Sequence, residues 1–356
     1  MNFAIKTATE KSLEQLAPEA LKTARRLSGK ILLNGELTGA STDRMIDVIH
    51  PGNLQSIGQV PQCGAADVNA AVEAADTALK SWRRVPARER GRMLQKAADA
   101  IEAEAELVAQ VLALDTGNAL RTQARPETAS SCDLLRMFGG LAGELKGETV
   151  PNMSPDVLHY STRDPIGVIA GIIPWNAPLF LFMAKIAPAI TAGNTIVVKS
   201  AEQAPICVLF LAEIINRFLP PGVLNVLSGY GEECGKPLCQ HPTVRKVTFT
   251  GSLPVGQAIA TYAAPKLATV TLELGGKNPS IVLPDADLNL AIPGIIDGMR
   301  YTRQGQACTA GSRVFVHKDI YDEVVNGVVA RLADIKLGNP LDDATDMGAI
   351  ISSEQF

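Results

Sequence analysis

Between residues 65 and 115 the apolar positions recur at helical spacing. Val68, Val72, Ala75, Leu79 and Trp82 share one face, and a second periodic run from about Glu89 stops at Gly117, so this stretch predicts a helical flank. From Ile166 the pattern changes. The short apolar runs IGVIAGII, NTIVVK, VLNVLS, KVTFT and TVTLEL alternate with helical segments at about 180–190, 203–217, 232–240 and 253–264. Strands buried on both faces need near-continuous Val, Ile and Leu, so the alternation predicts a parallel α/β sheet. Between the two regions, KGETVPNMSPDVLHYSTRDP reads as a hairpin that leaves the sheet and returns. After Gly275-Gly276 a second α/β stretch begins with PSIVLPDADL and continues through a helix, SRVFVHK and a helix over about 321–335. No internal repeat or low-complexity tract interrupts the chain.

The length of 356 residues implies two or more domains with ample core. Hydrophobic residues at 46% and charged residues at 20% exclude disorder as the main state. A net charge of −4, with no long basic run, leaves no electrostatic footprint for nucleic acid or an anionic membrane, so neither is an expected partner. The longest uncharged stretch, 166–184, approaches the length of a membrane span, but Pro174, Asn176 and Pro178 in its middle favour a strand, a turn and a helix. Six scattered cysteines without a CxxC pair argue against a disulfide framework and for a reducing cytoplasm. The four histidines form no HxxxH pair, which predicts chemistry without a metal. The start, MNFAIKTATEKSLEQL, has charges where a secretion signal needs an apolar region.

Five segments carry residues suited to chemistry. Cys308 lies among small residues in GQACTAGSR; a thiolate there is a strong nucleophile, although a lone free cysteine is more often a buried hydrophobe. Glu273 ends an apolar strand in TLELGGKNP. In apolar company its pKa is expected to rise, as a general base for water requires, and the competing reading is a solvated strand end. Asn176 in PWNAP offers amide donors for an oxyanion, or serves its own turn. In KVTFTGSLPVG, Gly251 permits close backbone approach and Ser252 stands at a helix N-terminus, which favours phosphate. No GxGxxG motif is present, and GYGEECG is a weak substitute. In VVKSAE, Lys199 and Glu202 follow a strand and suit ribose or phosphate, or are solvated loop charges.

Taken in order, PWNAP, VVKSAE, FTGSLPVG, LELGGKNP and GQACTAGSR resemble the signature segments of the aldehyde dehydrogenase family, and the similarity runs from about Ile31 to the last residue. The resemblance implies an α/β protein. It has a variant Rossmann-like parallel sheet domain (1–144 and 166–277) that binds NAD, with NADP possible, a small oligomerisation hairpin (145–165) and a second α/β catalytic domain (278–356). It implies oxidation of an aldehyde to a carboxylic acid through a cysteine thiohemiacetal and thioester. Cys308 would be the nucleophile, Asn176 and the Cys308 N–H the oxyanion donors, and Glu273 the base that activates the hydrolytic water. Lys199 and Glu202 would hold the adenosine ribose, Ser252 the pyrophosphate, and Trp175 and Gly231 would line the cleft with Gly251. A carboxylate at 202 repels a 2′-phosphate, which favours NAD.

Ser200 departs from the proline of many relatives and is expected to loosen the turn that aims Glu202. A larger departure is the absence, before Phe356, of the family's downstream nicotinamide-ribose segment and C-terminal strand, which predicts a truncated, weakly active chain with open apolar faces. The alternatives are a non-catalytic NAD-binding remnant and a coenzyme A-dependent acylating relative. The substrate funnel is expected near Phe180, Met183, Tyr301 and Thr302, and the aldehyde itself is not legible. The intact family forms homo-oligomers.

Overall fold

The computed structural model describes residues 12–151 and 154–356. The N-terminal stretch considered for a secretion signal falls, through residue 11, outside the described residues, as do residues 152 and 153 of the hairpin.

Helices α1 (Leu13–Leu16) and α2 (Pro18–Leu27) lead into strands β1 (Ile31–Leu33) and β2 (Glu36–Thr38). Asn34 and Gly35 connect these strands at φ 50° and 89°, the left-handed pair that a tight hairpin turn demands. A second antiparallel pair follows, β3 (Met45–Ile49) and β4 (Ser56–Pro61). The periodicity reading contains none of these four strands. At three to six residues each they are too short to display an alternating pattern clearly.

The helical flank expected over 65–115 consists of α3 (Ala65–Trp82), α4 (Ala87–Ala103) and α5 (Ala105–Thr116), and α6 (Arg125–Gly140), which that reading does not contain, follows it. On α3, Val68, Val72, Ala75 and Trp82 are fully buried, as their spacing predicts. The run expected from Glu89 to Gly117 is two helices rather than one, divided at Glu104, where the backbone leaves helical geometry (φ −107°, ψ 14°).

Gly117 ends α5 in the left-handed conformation, φ 75°. An added Cβ would lie 2.8 Å from the Ala349 carbonyl oxygen, and the Gly117 carbonyl itself accepts from the Ala349 N–H (3.1 Å) and from Gln304 Nε2 (3.2 Å). Gly117→Ala should therefore destabilise the chain by about 1–3 kcal/mol, seen as a lower denaturation midpoint. An unchanged midpoint would show that this junction relaxes freely.

The excursion forms a short antiparallel hairpin of β5 (Thr149–Val150) and β6 (His159–Tyr160). Next come β7 (Val168–Ile172), α7 (Pro178–Thr191), β8 (Thr195–Lys199), α8 (Ile206–Asn216) and β9 (Leu224–Leu227). A π turn (Gly231–Gly235) runs into α9 (Lys236–Gln240), so the helix expected at 232–240 is regular only in its second half. β10 (Val244–Gly251), α10 (Leu253–Ala263) and β11 (Thr269–Leu274) complete this part.

The sheet order is β11-β10-β7-β8-β9-β1-β2. The five strands from β11 to β9 are parallel, as predicted, whereas β1 joins β9 antiparallel and carries β2 with it. Every residue of β7, β8 and β9 is buried, and each buried Val or Ile contributes about 1.5–3 kcal/mol. Helices α4 to α8 cover one face of the sheet, and α3, α9 and α10 the other. The register aligns Ile172 with Lys199, Lys199 with Leu227, and Gly251 with Leu274, so the carboxyl ends of the parallel strands meet along one rim.

The second α/β stretch contains β12 (Pro279–Val282), α11 (Leu288–Met299), β13 (Arg313–Val316) and α12 (Tyr321–Leu332). Its two strands pair in parallel over a small core of Val282, Ile295 and Val324, while Ile281, Leu290 and Phe315 stay exposed. Among the described residues, no helix is long and apolar enough to cross a membrane.

Candidate active site

The rim of strand ends opens into a cleft of about 700 Å³. Trp175, Lys199, Glu202, Gly231, Gly251 and Ser252 all line it, although they come from four different strand ends. Parallel sheets bind ligands in this position, because each strand's carboxyl end releases its loop and the following helix presents its N-terminus. Lys199, the last residue of β8, is buried along its stem, and its ammonium lies 3.0 Å from a Glu202 carboxylate oxygen. Gln203 Nε2 donates to the other Glu202 oxygen at 3.3 Å. The turn is not loosened at Ser200. Its N–H and hydroxyl both donate to the Leu227 carbonyl, at 3.0 and 3.2 Å, so this residue is pinned to the neighbouring strand.

Ser252 caps α10 with its backbone, and its hydroxyl makes no capping bond, which leaves that hydroxyl available to a ligand. Across the cleft, Lys236 lies 5.4 Å from the Tyr262 ring centre and 3.0 Å from Glu232. Free N–H donors at a helix start and a buried ammonium with its carboxylate give the cleft groups suited to phosphate and to sugar hydroxyls.

At one end of this rim, Cys308 occupies a turn after a short 3₁₀ segment (Tyr301–Arg303). Of the six free cysteines, Cys308 alone is exposed. Arg300, Gln304 and Gly305 have φ of 59°, 54° and 69°, so the approach to the thiol is a held loop rather than a relaxed one. Several side chains hold it. Asn176 Nδ2 donates to the Gln306 carbonyl at 2.8 Å, which brings the PWNAP turn to the loop that bears the thiol. Asn278 Nδ2 donates to the Cys308 carbonyl (2.8 Å) and the Ala310 carbonyl (3.2 Å). The side-chain oxygen of Gln306 receives the Ile351 N–H at 3.2 Å, and the Cys308 N–H donates to no group among the described residues.

Glu273 needs a correction. Its strand, β11, is the sheet's edge and alternates exposed with half-buried residues, so the carboxylate is exposed and lacks the apolar company expected of it. It does lie near the thiol loop: three residues on, a Cβ at Gly276 would sit 3.8 Å from the Cys308 carbonyl oxygen. In the expected funnel, Met183 is fully buried in the core and cannot line it, whereas Phe180 and Thr302 are exposed and Tyr301 is half-buried.

Sequence reasoning missed two residues here. Lys185 is buried on α7 and donates to Thr248 Oγ1 (3.2 Å) and Thr250 Oγ1 (2.9 Å). Burial pulls its pKa down to about 8, and the charge of Glu273 opposes that fall, so the two groups share one electrostatic neighbourhood. A lysine inside the apolar helix LFLFMAKIAPAI was the available signal. Asn278, two residues past the glycine pair, offered no such signal, because its contacts to 308 and 310 are entirely tertiary. Among the described residues, no group of three or more His, Cys, Asp or Glu is placed to hold a metal.

Comparison with known proteins agrees with this architecture. A model of the aldehyde dehydrogenase family matches residues 38–356. The chain is 40% identical to the cytosolic aldehyde dehydrogenase 1 of Rattus norvegicus, over 95% of this chain and 68% of that protein. It is 40% identical to the phenylacetaldehyde dehydrogenase of Pseudomonas fluorescens, over 92% and 67%. The crystal structure of PnpE in complex with nicotinamide adenine dinucleotide superposes with a TM-score of 0.89 at 39% identity, covering 91% of this chain and 66% of that one. The chain thus spans about two thirds of the length of these relatives. With a family model matching most of its length and relatives about 40% identical over two thirds of theirs, the chain belongs to the aldehyde dehydrogenase family.

Proposed function

We propose that this chain binds NAD in the rim cleft and oxidises an aldehyde to a carboxylic acid through Cys308. The observation that carries this reading is the one exposed thiol, on a loop that the Asn176 amide holds through the Gln306 carbonyl, with Trp175 beside Asn176 lining the strand-end cleft. Cys308 attacks the aldehyde carbonyl. The oxyanion that forms takes the free Cys308 N–H and the Asn176 amide, which has a second hydrogen beyond the one given to Gln306. NAD, when bound, supplies the acceptor for the hydride that the resulting thiohemiacetal gives up. Glu273 then removes a proton from water at the thioester and so releases the acid. Its exposure gives water ready access, and Lys185 is the nearby group with which it shares charge.

Lys199 and Glu202 would take the adenosine ribose, Ser252 the pyrophosphate, and Trp175, Gly231 and Gly251 the walls of the trough. In domain terms, 1–144 with 166–277 would form the dinucleotide-binding unit, 278–356 the catalytic unit, and 145–165 a hairpin used between copies in a homo-oligomer. The exposed thiol suits a reducing, cytoplasmic setting.

The direct test mixes the protein with an aldehyde panel and follows NADH and acid together. NADH and acid should appear one for one, coenzyme A should not accelerate turnover, and NADP should serve at least about tenfold less well, the effect of about 1.4 kcal/mol of repulsion at Glu202. Cofactor binding without NADH formation for any aldehyde would instead identify a non-catalytic remnant, and acceleration by coenzyme A an acylating enzyme.

A further inference from the structure

We propose that Glu127 is a positioning residue, which sets the Asn176 amide against the Cys308 loop through its buried ion pair with Arg303. The proposal rests on the reading of Cys308 and Asn176 given under Proposed function.

Glu127 lies in the first turn of α6 and does not line the cleft. Its side chain is wholly buried. One carboxylate oxygen accepts from the N–H groups of Leu179 (3.0 Å) and Phe180 (3.3 Å), which lie in the first turn of α7. The cap residue of that helix, Ala177, has no side chain able to accept them, so a carboxylate from another helix satisfies the orphan donors and meets the positive end of the dipole. The second oxygen lies 3.2 Å from Arg303 Nη2. In the amide orientation that satisfies its neighbours, the Gln123 oxygen also accepts from Arg303.

One carboxylate therefore grips two segments. Asn176 immediately precedes the cap of α7, and Arg303 immediately precedes the Gln304–Cys308 approach to the thiol. A third link closes the ring, since Asn176 Nδ2 donates to the Gln306 carbonyl at 2.8 Å. Shifting any of these links moves the amide donor relative to the sulfur and its N–H.

The arrangement is expensive to maintain. Burial pushes the Glu127 carboxyl up and pulls the Arg303 guanidinium down, opposed in each case by the partner's charge. Apolar residues would pack α6 against α7 at less desolvation cost. What an ion pair adds is a directional hold on both segments at once.

The test compares the full chain with Glu127→Gln, Arg303→Met and the double variant, well below each protein's melting midpoint. p-Nitrophenyl acetate, added without NAD, reports on acyl transfer that uses both thiol and oxyanion donors. Iodoacetamide reports on the thiol alone, because alkylation forms no oxyanion. Glu127→Gln keeps an acceptor for α7 but loses the charge. It should lower p-nitrophenolate release by about 100-fold, the scale of an ångström of misplacement. Cys308 alkylation should stay within about threefold of the parent, and the double variant should be no more than about threefold worse than the slower single variant. Should Arg303→Met fail to fold, Arg303→Lys, which keeps charge without the fork, should show the same split.

Release within about threefold of the parent in every folded variant would overturn the proposal, as would release and alkylation falling together. Cys308→Ala separates the two levels. If release persists without Cys308, the functional reading falls and this proposal with it; release that needs Cys308 yet ignores Glu127 overturns the positioning role alone.

Discussion

Cys308→Ala should abolish aldehyde-dependent NADH formation, by a factor on the order of 10⁴ or more, while NAD still titrates into the cleft. The size of the effect follows from the surroundings of the other thiols. Cys63, Cys132, Cys207, Cys234 and Cys239 are all buried. Burial pushes Cys63 and Cys132 up to about 11 and Cys239 up to about 12, and raises Cys207 and Cys234 well above the ordinary thiol range. None is a thiolate near neutral pH, and none reaches an aldehyde, so no substitute nucleophile exists among them. Cofactor binding should survive, because Cys308 does not line the cleft. Turnover above about 1% of the parent in this variant would exclude covalent catalysis at Cys308.

Glu273→Gln should separate the two half-reactions. The first requires only the thiol, the oxyanion donors and a hydride acceptor, so one NADH per chain should appear in a burst. The steady state should then fall by about 10²–10⁴, the usual worth of a positioned general base. Since Glu273 is exposed on an edge strand, the change should leave the melting midpoint near that of the parent, which separates lost chemistry from lost structure. Mass spectrometry should find the acyl group on Cys308. Hydroxylamine, a nucleophile that needs no base, should restore turnover. Steady turnover equal to the parent's would remove Glu273 from the hydrolytic step, and rescue by coenzyme A at low concentration would point to the acylating reaction.

The legible parts of this protein were those in which chemistry and local pattern coincide. β7, β8, β9 and β10 announce themselves because a strand buried on both faces must be apolar throughout. The residues proposed for the cofactor follow from the same fact, since strand ends in a parallel sheet point to one rim and VVKSAE and FTGSLPVG are strand ends. The β1–β2 hairpin carries a local signal of another kind, Asn34-Gly35 between ILL and ELT, which is turn chemistry and leaves no mark in hydrophobic periodicity.

Glu273 marks where local pattern misleads. TVTLEL reads as buried on both faces, yet β11 has a partner on one side only and its alternate residues face outward. Met183 errs the other way: expected in the substrate funnel, it is fully buried in the core.

By itself, then, the sequence determined the alternation of strands and helices from β7 onward, the parallel core and the residue types at the rim, because burial periodicity and strand-end chemistry are properties of short segments. Only the tertiary structure decided which of six cysteines reaches solvent, that Asn176 touches the Gln306 carbonyl, that Asn278 holds the thiol's turn, and that Glu127 joins α7 to Arg303. Those are contacts between groups 30 to 176 residues apart. Their geometry depends on how whole helices pack on the sheet, and no local pattern records that.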